Sequence, residues 1–193
     1  LCQRCLLLDE GRITKKGSSK DVIKFYLHKG AENNRLRESF EDREEKDYSE
    51  VRPIEAAITK NDNSSADIYV SEEFYVEFKL EIMKEIRNFH LCFDFYNENA
   101  RLIFRTTSWD TFGVSGVKYK PGKYKFGCAI PSFFLNKGNY YINVNGQIPH
   151  TKYHFIFENV LNFSIIDMGK NGNFKKKAGI LYTAFPWTVS KLD

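Results

Sequence analysis

From Val51 onward, apolar and polar residues alternate with a period of two, and the pattern returns in separate runs along the chain. Phe74, Val76, Phe78, Leu80 and Ile82 alternate with Tyr75, Glu77, Lys79 and Glu81. Phe89, Leu91, Phe93 and Phe95 alternate with His90, Cys92, Asp94 and Tyr96. The same holds for Tyr124, Phe126, Cys128 and Ile130, for Tyr140, Ile142 and Val144, and for Leu161, Phe163 and Ile165. Successive side chains of a strand point to opposite faces, so this spacing buries one face and leaves the other to solvent. Residues 52–59 and 101–107 add two less regular strands. Turns at Asn97-Glu98-Asn99-Ala100, Pro121-Gly122 and Asn136-Lys137-Gly138 separate the runs. Seven strands with such turns predict an all-β fold, an immunoglobulin-like antiparallel β-sandwich. By analogy with that connectivity, one sheet holds 52–59, 74–82 and 122–130. The other holds 88–97, 101–107, 138–147 and 160–166.

The flanks read differently. Leu6-Leu7-Leu8, a turn at Asp9-Glu10-Gly11 and a returning run from Arg12 to Gly17 predict a hairpin. Ser18 and Asp21 have the spacing of a capping box, and Val22, Phe25 and Tyr26 follow on one helix face, so a short helix is expected over 20–29. Residues 31–50 hold eight acids against four bases and few apolar groups. They read as an acidic linker that contributes nothing to a core. The expected organisation is 1–30 as an N-terminal unit, 31–50 as linker, 51–168 as the sandwich and 169–193 as a tail. Ile180, Leu181, Tyr182, Phe185 and Trp187 make that tail apolar enough to dock as a last strand.

The two solvent faces of the predicted sandwich differ. The first sheet presents Glu55, Glu77, Lys79, Glu81, Lys123 and Lys125 beside Tyr75, a solubilising mixture of charges. The second presents His90, Asp94, Tyr96, Arg105, Tyr141, Asn143, Asn145 and Asn162, with Thr107 and Ser164. Asparagine is a poor strand former, so Asn143, Asn145 and Asn162 run against local propensity. Amides offer both donors and acceptors to sugar hydroxyls, and aromatic rings pack on the apolar face of a pyranose. The eight residues named first are therefore the candidate carbohydrate-binding set. An ordinary polar sheet face paired across its strands is the competing interpretation. Trp109, in the connection 108–120, is a candidate ligand contact or an end cap.

Other chemistries find little support. No apolar run approaches the roughly 18 residues of a membrane helix. The first residue is Leu1 and no signal peptide is visible, so the chain reads as a piece of a larger protein. The net charge is +4, and the late lysines Lys170, Lys175, Lys176 and Lys177 lack interleaved stacking residues, so no nucleic acid partner is expected. Cys2 and Cys5 form a C-x-x-C with no second pair to complete a zinc site. His150 and His154 are four apart, but Pro149 and the surrounding alternation oppose a helix that would bring them together. There is no phosphate-binding loop and no pair of carboxylates placed for glycoside hydrolysis. No enzyme activity, metal or cofactor is expected.

Leu1-Cys2-x-Arg4, Leu8-x-x-Gly11-Arg12-Ile13, Gly17, Val22 and Tyr26 resemble the closing segment of ABC-transporter ATPase domains. The rest, with Ile130-Pro131, Leu135, Gly138-x-Tyr140-x-Ile142 and the end from Gly179 through Phe185-Pro186-Trp187, resembles the C-terminal extension of Wzt-type ATP-binding subunits of O-antigen polysaccharide exporters. That resemblance implies an immunoglobulin-like sandwich that binds the exported glycan, at its non-reducing end, on the cytoplasmic face of the bacterial inner membrane. It implies a transmembrane permease as partner through the full-length protein, and a homodimer with possible exchange of the C-terminal strand. Residues 1–30 would be the end of the nucleotide-binding domain. Without Walker or signature motifs, this segment would not itself hydrolyse ATP. A structural dimerisation module without glycan binding is the alternative.

Overall fold

Nine strands stack into two sheets, and their inward side chains are mostly the apolar members of the alternation. The computed structural model describes residues 4–9, 11–19, 21, 22, 25, 34–41, 48–60, 67–166, 179–182 and 189. An N-terminal hairpin pairs β1 (Arg4–Asp9) with β2 (Arg12–Ser18), as expected. The capping box also forms: the Asp21 N–H donates to Ser18 Oγ at 3.1 Å, and the Ser18 hydroxyl donates to the Asp21 carboxylate at 2.6 Å. Ser19, Asp21, Val22 and Phe25 are helical; the rest of the expected helix lies outside the described residues.

The first sheet runs β11-β6-β4-β3, built from β3 (Arg37–Ser39), β4 (Val51–Lys60), β6 (Phe74–Ile82) and β11 (Gly122–Ile130). The second runs β5-β13-β12-β8-β9, built from β5 (Ile68–Tyr69), β8 (His90–Asn97), β9 (Leu102–Thr107), β12 (Gly138–Ile148) and β13 (Lys152–Ile166). A small ribbon pairs β7 (Ile86–Arg87) with β10 (Lys118–Tyr119). All pairs are antiparallel except β5 with β13. The partition read from the sequence places every anticipated strand in the correct sheet. On the outside of the first sheet, the charges pair across strands: Lys79 with Glu55 at 3.0 Å, Arg37 with Glu55 at 2.5 Å and Lys125 with Glu77 at 2.9 Å.

Between the sheets lies a phenylalanine ladder. Phe78 stacks on Phe155 with centroids 5.4 Å apart, Phe155 on Phe157 at 5.1 Å, and Phe157 on Phe40 at 4.5 Å. Fully burying such rings contributes about 1.5–3 kcal/mol each, an upper figure. Gly146 lets the ladder close: a Cβ there would stand 2.5 Å from the Phe155 ring and 2.9 Å from Phe89.

Phe40 corrects one expectation. The composition of 31–50 predicts a connector, yet its described residues supply the edge strand β3, and Phe40 is 2% exposed in the core. Leu36 and Tyr48 pack against the same core. The four-residue spacing of Leu36 and Phe40 suits a strand as well as a helix, because four is also a multiple of two.

A second correction concerns β13, which begins at Lys152 rather than at residue 160. Two irregularities break its alternation. Opposite Asn143, the register passes from Ile142↔Leu161 to Val144↔Phe157, so the strand carries two extra residues there. Asn159 sits inside this bulge with φ of 51°. His154 is the extra residue between Gly146↔Phe155 and Gln147↔Tyr153. The described residues of the tail, 179–182, dock on the sandwich. Leu181 makes an isolated bridge to Leu135, and the Tyr182 N–H donates to Phe134 O at 2.9 Å. Phe185 and Trp187 lie outside the described residues.

The displaced His154 gives the fold an acid sensitivity. Its side chain is 6% exposed, its ring meets Phe89 edge-on at 5.6 Å, and its Nε2 has no partner. Burial, and then the Lys152 charge, hold its pKa below the ordinary 6.5, while Glu50 opposes them weakly. The unfolded chain therefore takes up this proton more readily than the folded one. The group leaves stability untouched above about pH 6.5 and lowers it as pH falls from there toward the folded pKa. Glu50, held down by Lys152, acts in a separate window below its ordinary 4.5. His154→Phe should therefore flatten the fall in urea midpoint between about pH 6.5 and 5. Parallel curves for the two proteins across that range would contradict this.

Candidate functional site

The outward parity of the second sheet gathers the sequence-predicted residues onto one surface in cross-strand rows. Asn162, Tyr141 and Tyr96 lie side by side on β13, β12 and β8. Asn143, Asp94 and Arg105 form the next row, on β12, β8 and β9. Asn145, Cys92 and Thr107 form the third. His90 and Gln147 close the fourth. Gln147 continues the parity of 141, 143 and 145 and was missed because the anticipated strand stopped there; its Nε2 donates to Cys92 Sγ at 3.2 Å.

Several of these groups are already engaged. Arg105 grips Asp94 with two bonds, Nε to Oδ1 at 2.5 Å and the guanidinium NH2 to Oδ2 at 2.6 Å. The carboxylate raises the Arg105 pKa further above its usual value. Asn143 Oδ1 accepts the Asn159 N–H at 2.8 Å, so this amide pins the β13 bulge. His90 is fully buried, with Nδ1 3.2 Å from Ser108 Oγ and Nε2 3.0 Å from Val114 O. It thereby fastens the connection after β9, whose short helix Trp109–Phe112 sets Trp109 edge-on to the imidazole at 5.6 Å. Trp109 thus caps one end of the face.

Other groups are unspent. Asn145 Oδ1, Asn162 Nδ2 and Thr107 Oγ1 are buried with no hydrogen-bond partner. A buried polar atom without a partner costs about 1–3 kcal/mol, so a water or ligand hydroxyl that reached one would be stabilised there. Beside Asn162, the rings of Tyr96 and Tyr141 stack at 5.1 Å with planes 7° apart, both half-buried. Past the Gln147 end, a recess of about 360 Å3 is lined by Arg105, Trp109, Pro149, His150, Lys152 and Tyr153, among others. A larger cavity of about 750 Å3 lies between the sheets at their open side, next to β9 and β11. Its lining by Leu91, Phe93, Tyr119, Tyr124 and Phe126 is largely apolar, and it includes Thr107 but neither the tyrosine pair nor the asparagines.

Among the described residues, no group of three or more His, Cys, Asp or Glu could hold a metal ion. Cys5, Cys92 and Cys128 are free thiols. Burial pushes the Cys92 and Cys128 thiols up, which makes them poor nucleophiles. No described helix is long and apolar enough to cross a membrane.

Residues 43–177 match the sequence profile of the Wzt C-terminal domain. This chain belongs to the Wzt C-terminal domain family. The crystal structure of the C-terminal domain of wzt superposes with a TM-score of 0.59 at 12% identity, covering 89% of this chain and 99% of that one. A beta-glucosidase from Listeria innocua in complex with gluconolactone aligns at a TM-score of 0.31 and 10% identity over 57% of this chain and 16% of that one, a likeness too slight to use. Among curated proteins none matches the chain. The Wzt C-terminal domain profile begins at residue 43, after Phe40 and β3, and ends beyond the sandwich. The Wzt relationship gives the chain the setting of a transporter subunit.

Proposed function

We propose that this domain binds the O-antigen polysaccharide, at its non-reducing end, on the cytoplasmic side of the inner membrane and couples that recognition to ABC-transporter export. One observation carries the reading. The outer face of the second sheet carries three unpartnered polar atoms, Asn162 Nδ2 beside a stacked tyrosine pair, and Asn145 Oδ1 and Thr107 Oγ1 two rows along. An ordinary cross-strand-paired face would satisfy those atoms within itself. Asn145 Oδ1 can only accept, Asn162 Nδ2 can only donate, and Thr107 Oγ1 can do both, which suits hydroxyls that each donate and accept. In this reading residues 1–30 close the subunit's nucleotide-binding domain, and two copies assemble as a homodimer beneath the permease.

Calorimetric titration with the source organism's own O-polysaccharide tests this. Asn145→Ala and Tyr141→Ala are each expected to weaken binding about tenfold or more, the equivalent of one lost hydrogen bond or stacking contact of about 1.4 kcal/mol. Far-UV circular dichroism should stay unchanged. A folded native chain that ignores the polysaccharide would leave the structural dimerisation module as the better account.

A further inference from the structure

Most of the charges on and around this face are spent on one another. Asp94 and Arg105 hold each other in a bidentate pair, with the Asp94 side chain 7% exposed. At the recess, Lys152 pairs with Glu50. Beyond Asn162, Arg35 pairs with Glu38 at 3.4 Å. Further carboxylates also oppose an anion: Asp110 Oδ2 accepts from the Thr107 N–H at 2.9 Å, Glu98 Oε2 accepts from Asn139 Nδ2 at 3.2 Å, and exposed Glu158 rides on the β13 bulge. Arg101 lies in the turn after β8, one residue before Leu102, which pairs with Tyr96 at the far edge of the row that holds Asn162.

Resting on the glycan reading above, we infer that the face selects an uncharged glycan end and rejects one that carries phosphate or carboxylate. An arginine already gripped by a buried carboxylate offers no net positive charge to a ligand anion. Drawing it away would strand Asp94 in a desolvated site. An anionic group arriving at Asn145 and Thr107 would meet the Asp94 side of the pair on the adjacent strand row, with Glu158 nearby along β13. The orphaned atoms, in contrast, ask for hydroxyls: they are one amide oxygen, one amide nitrogen and one hydroxyl, all neutral.

The test compares two probes on the same intact chain at pH 8. One is an oligosaccharide released from the source organism's own O-polysaccharide with a neutral non-reducing end. The other is the same oligosaccharide phosphorylated at that end. The phosphorylated probe is expected to bind at least about tenfold more weakly, about 1.4 kcal/mol. The neutral probe's Kd should change less than about twofold between low and high salt, since screening has no ligand charge to act on. Asp94→Asn, which keeps the shape and frees Arg105, should shrink the discrimination. If that variant does not fold, the two comparisons on the native chain still decide. Equal or tighter binding of the phosphorylated probe, or a steep loss of neutral binding with salt, overturns the inference and leaves glycan recognition standing. Failure of both probes to bind overturns both.

Discussion

Replacing Phe40 with alanine should lower stability by about 3–5 kcal/mol, the usual cost of emptying a phenylalanine site in a core. For a chain of this size, that is a fall in Tm of roughly 6–20 °C. The ring stacks on Phe157, tilts against Phe78 at 5.5 Å, and sits on a backbone held by the Phe40 N–H to Ile54 O bond at 2.9 Å. Exposed Glu41, the next residue, is the control, and Glu41→Ala should stay within about 0.5 kcal/mol. Calorimetric melting of the two variants distinguishes a core residue from a tether. Coincident transitions would return residues 37–40 to the status of linker. The result bears on where the domain begins, because the family match starts three residues later.

Arg105→Ala should destabilise by about 3 kcal/mol at neutral pH. Removing one partner from a buried ion pair leaves the other charge uncompensated, and the half-exposed guanidinium puts this pair at the lower end of the range. The Asp94→Asn, Arg105→Ala double variant should recover most of that loss, since no buried charge is then stranded. Urea unfolding of the single and double variants checks this through the sign of their coupling. A single variant as stable as the native chain would show that water reaches Asp94 freely. The same experiment guards the binding assays: loss of glycan affinity in Arg105→Ala reports on folding first, whereas Asn145→Ala removes an atom with no internal partner at Oδ1.

The sandwich was legible because long strands with one buried face write their period into the sequence. Phe74 through Ile82 and Tyr140 through Val144 keep it without interruption, and both were assigned to the correct sheet. The losses occur where that period is short or broken. Strand β3 has three residues, all polar, and only its flanks Leu36 and Phe40 are apolar. In β13, two extra residues around Asn159 interrupt the run while leaving Phe155 and Phe157 on the parity of Leu161 and Phe163, and the single extra residue His154 reverses it before Tyr153. Parity also assembled the candidate face correctly by side. It could not show which groups were engaged, since the Arg105 grip on Asp94 and the Asn143 hold on Asn159 depend on cross-strand register. Nor could it show that His90 spends both nitrogens on the connection that positions Trp109.

The bulge at Asn159 has a consequence for anyone wishing to re-target this domain. Because Asn143 is the keystone of that bulge, the outward face divides into scaffolding and editable letters. Asn143, His90, Asp94 and Arg105 carry the curvature, the end cap and the charge balance, and randomising them would scramble the surface being redesigned. Tyr96, Thr107, Tyr141, Asn145 and Asn162 form a compact alphabet between those fixed points, with side chains that project away from the phenylalanine ladder. A combinatorial library confined to these five positions would rewrite what the face presents while leaving the grammar of the fold intact.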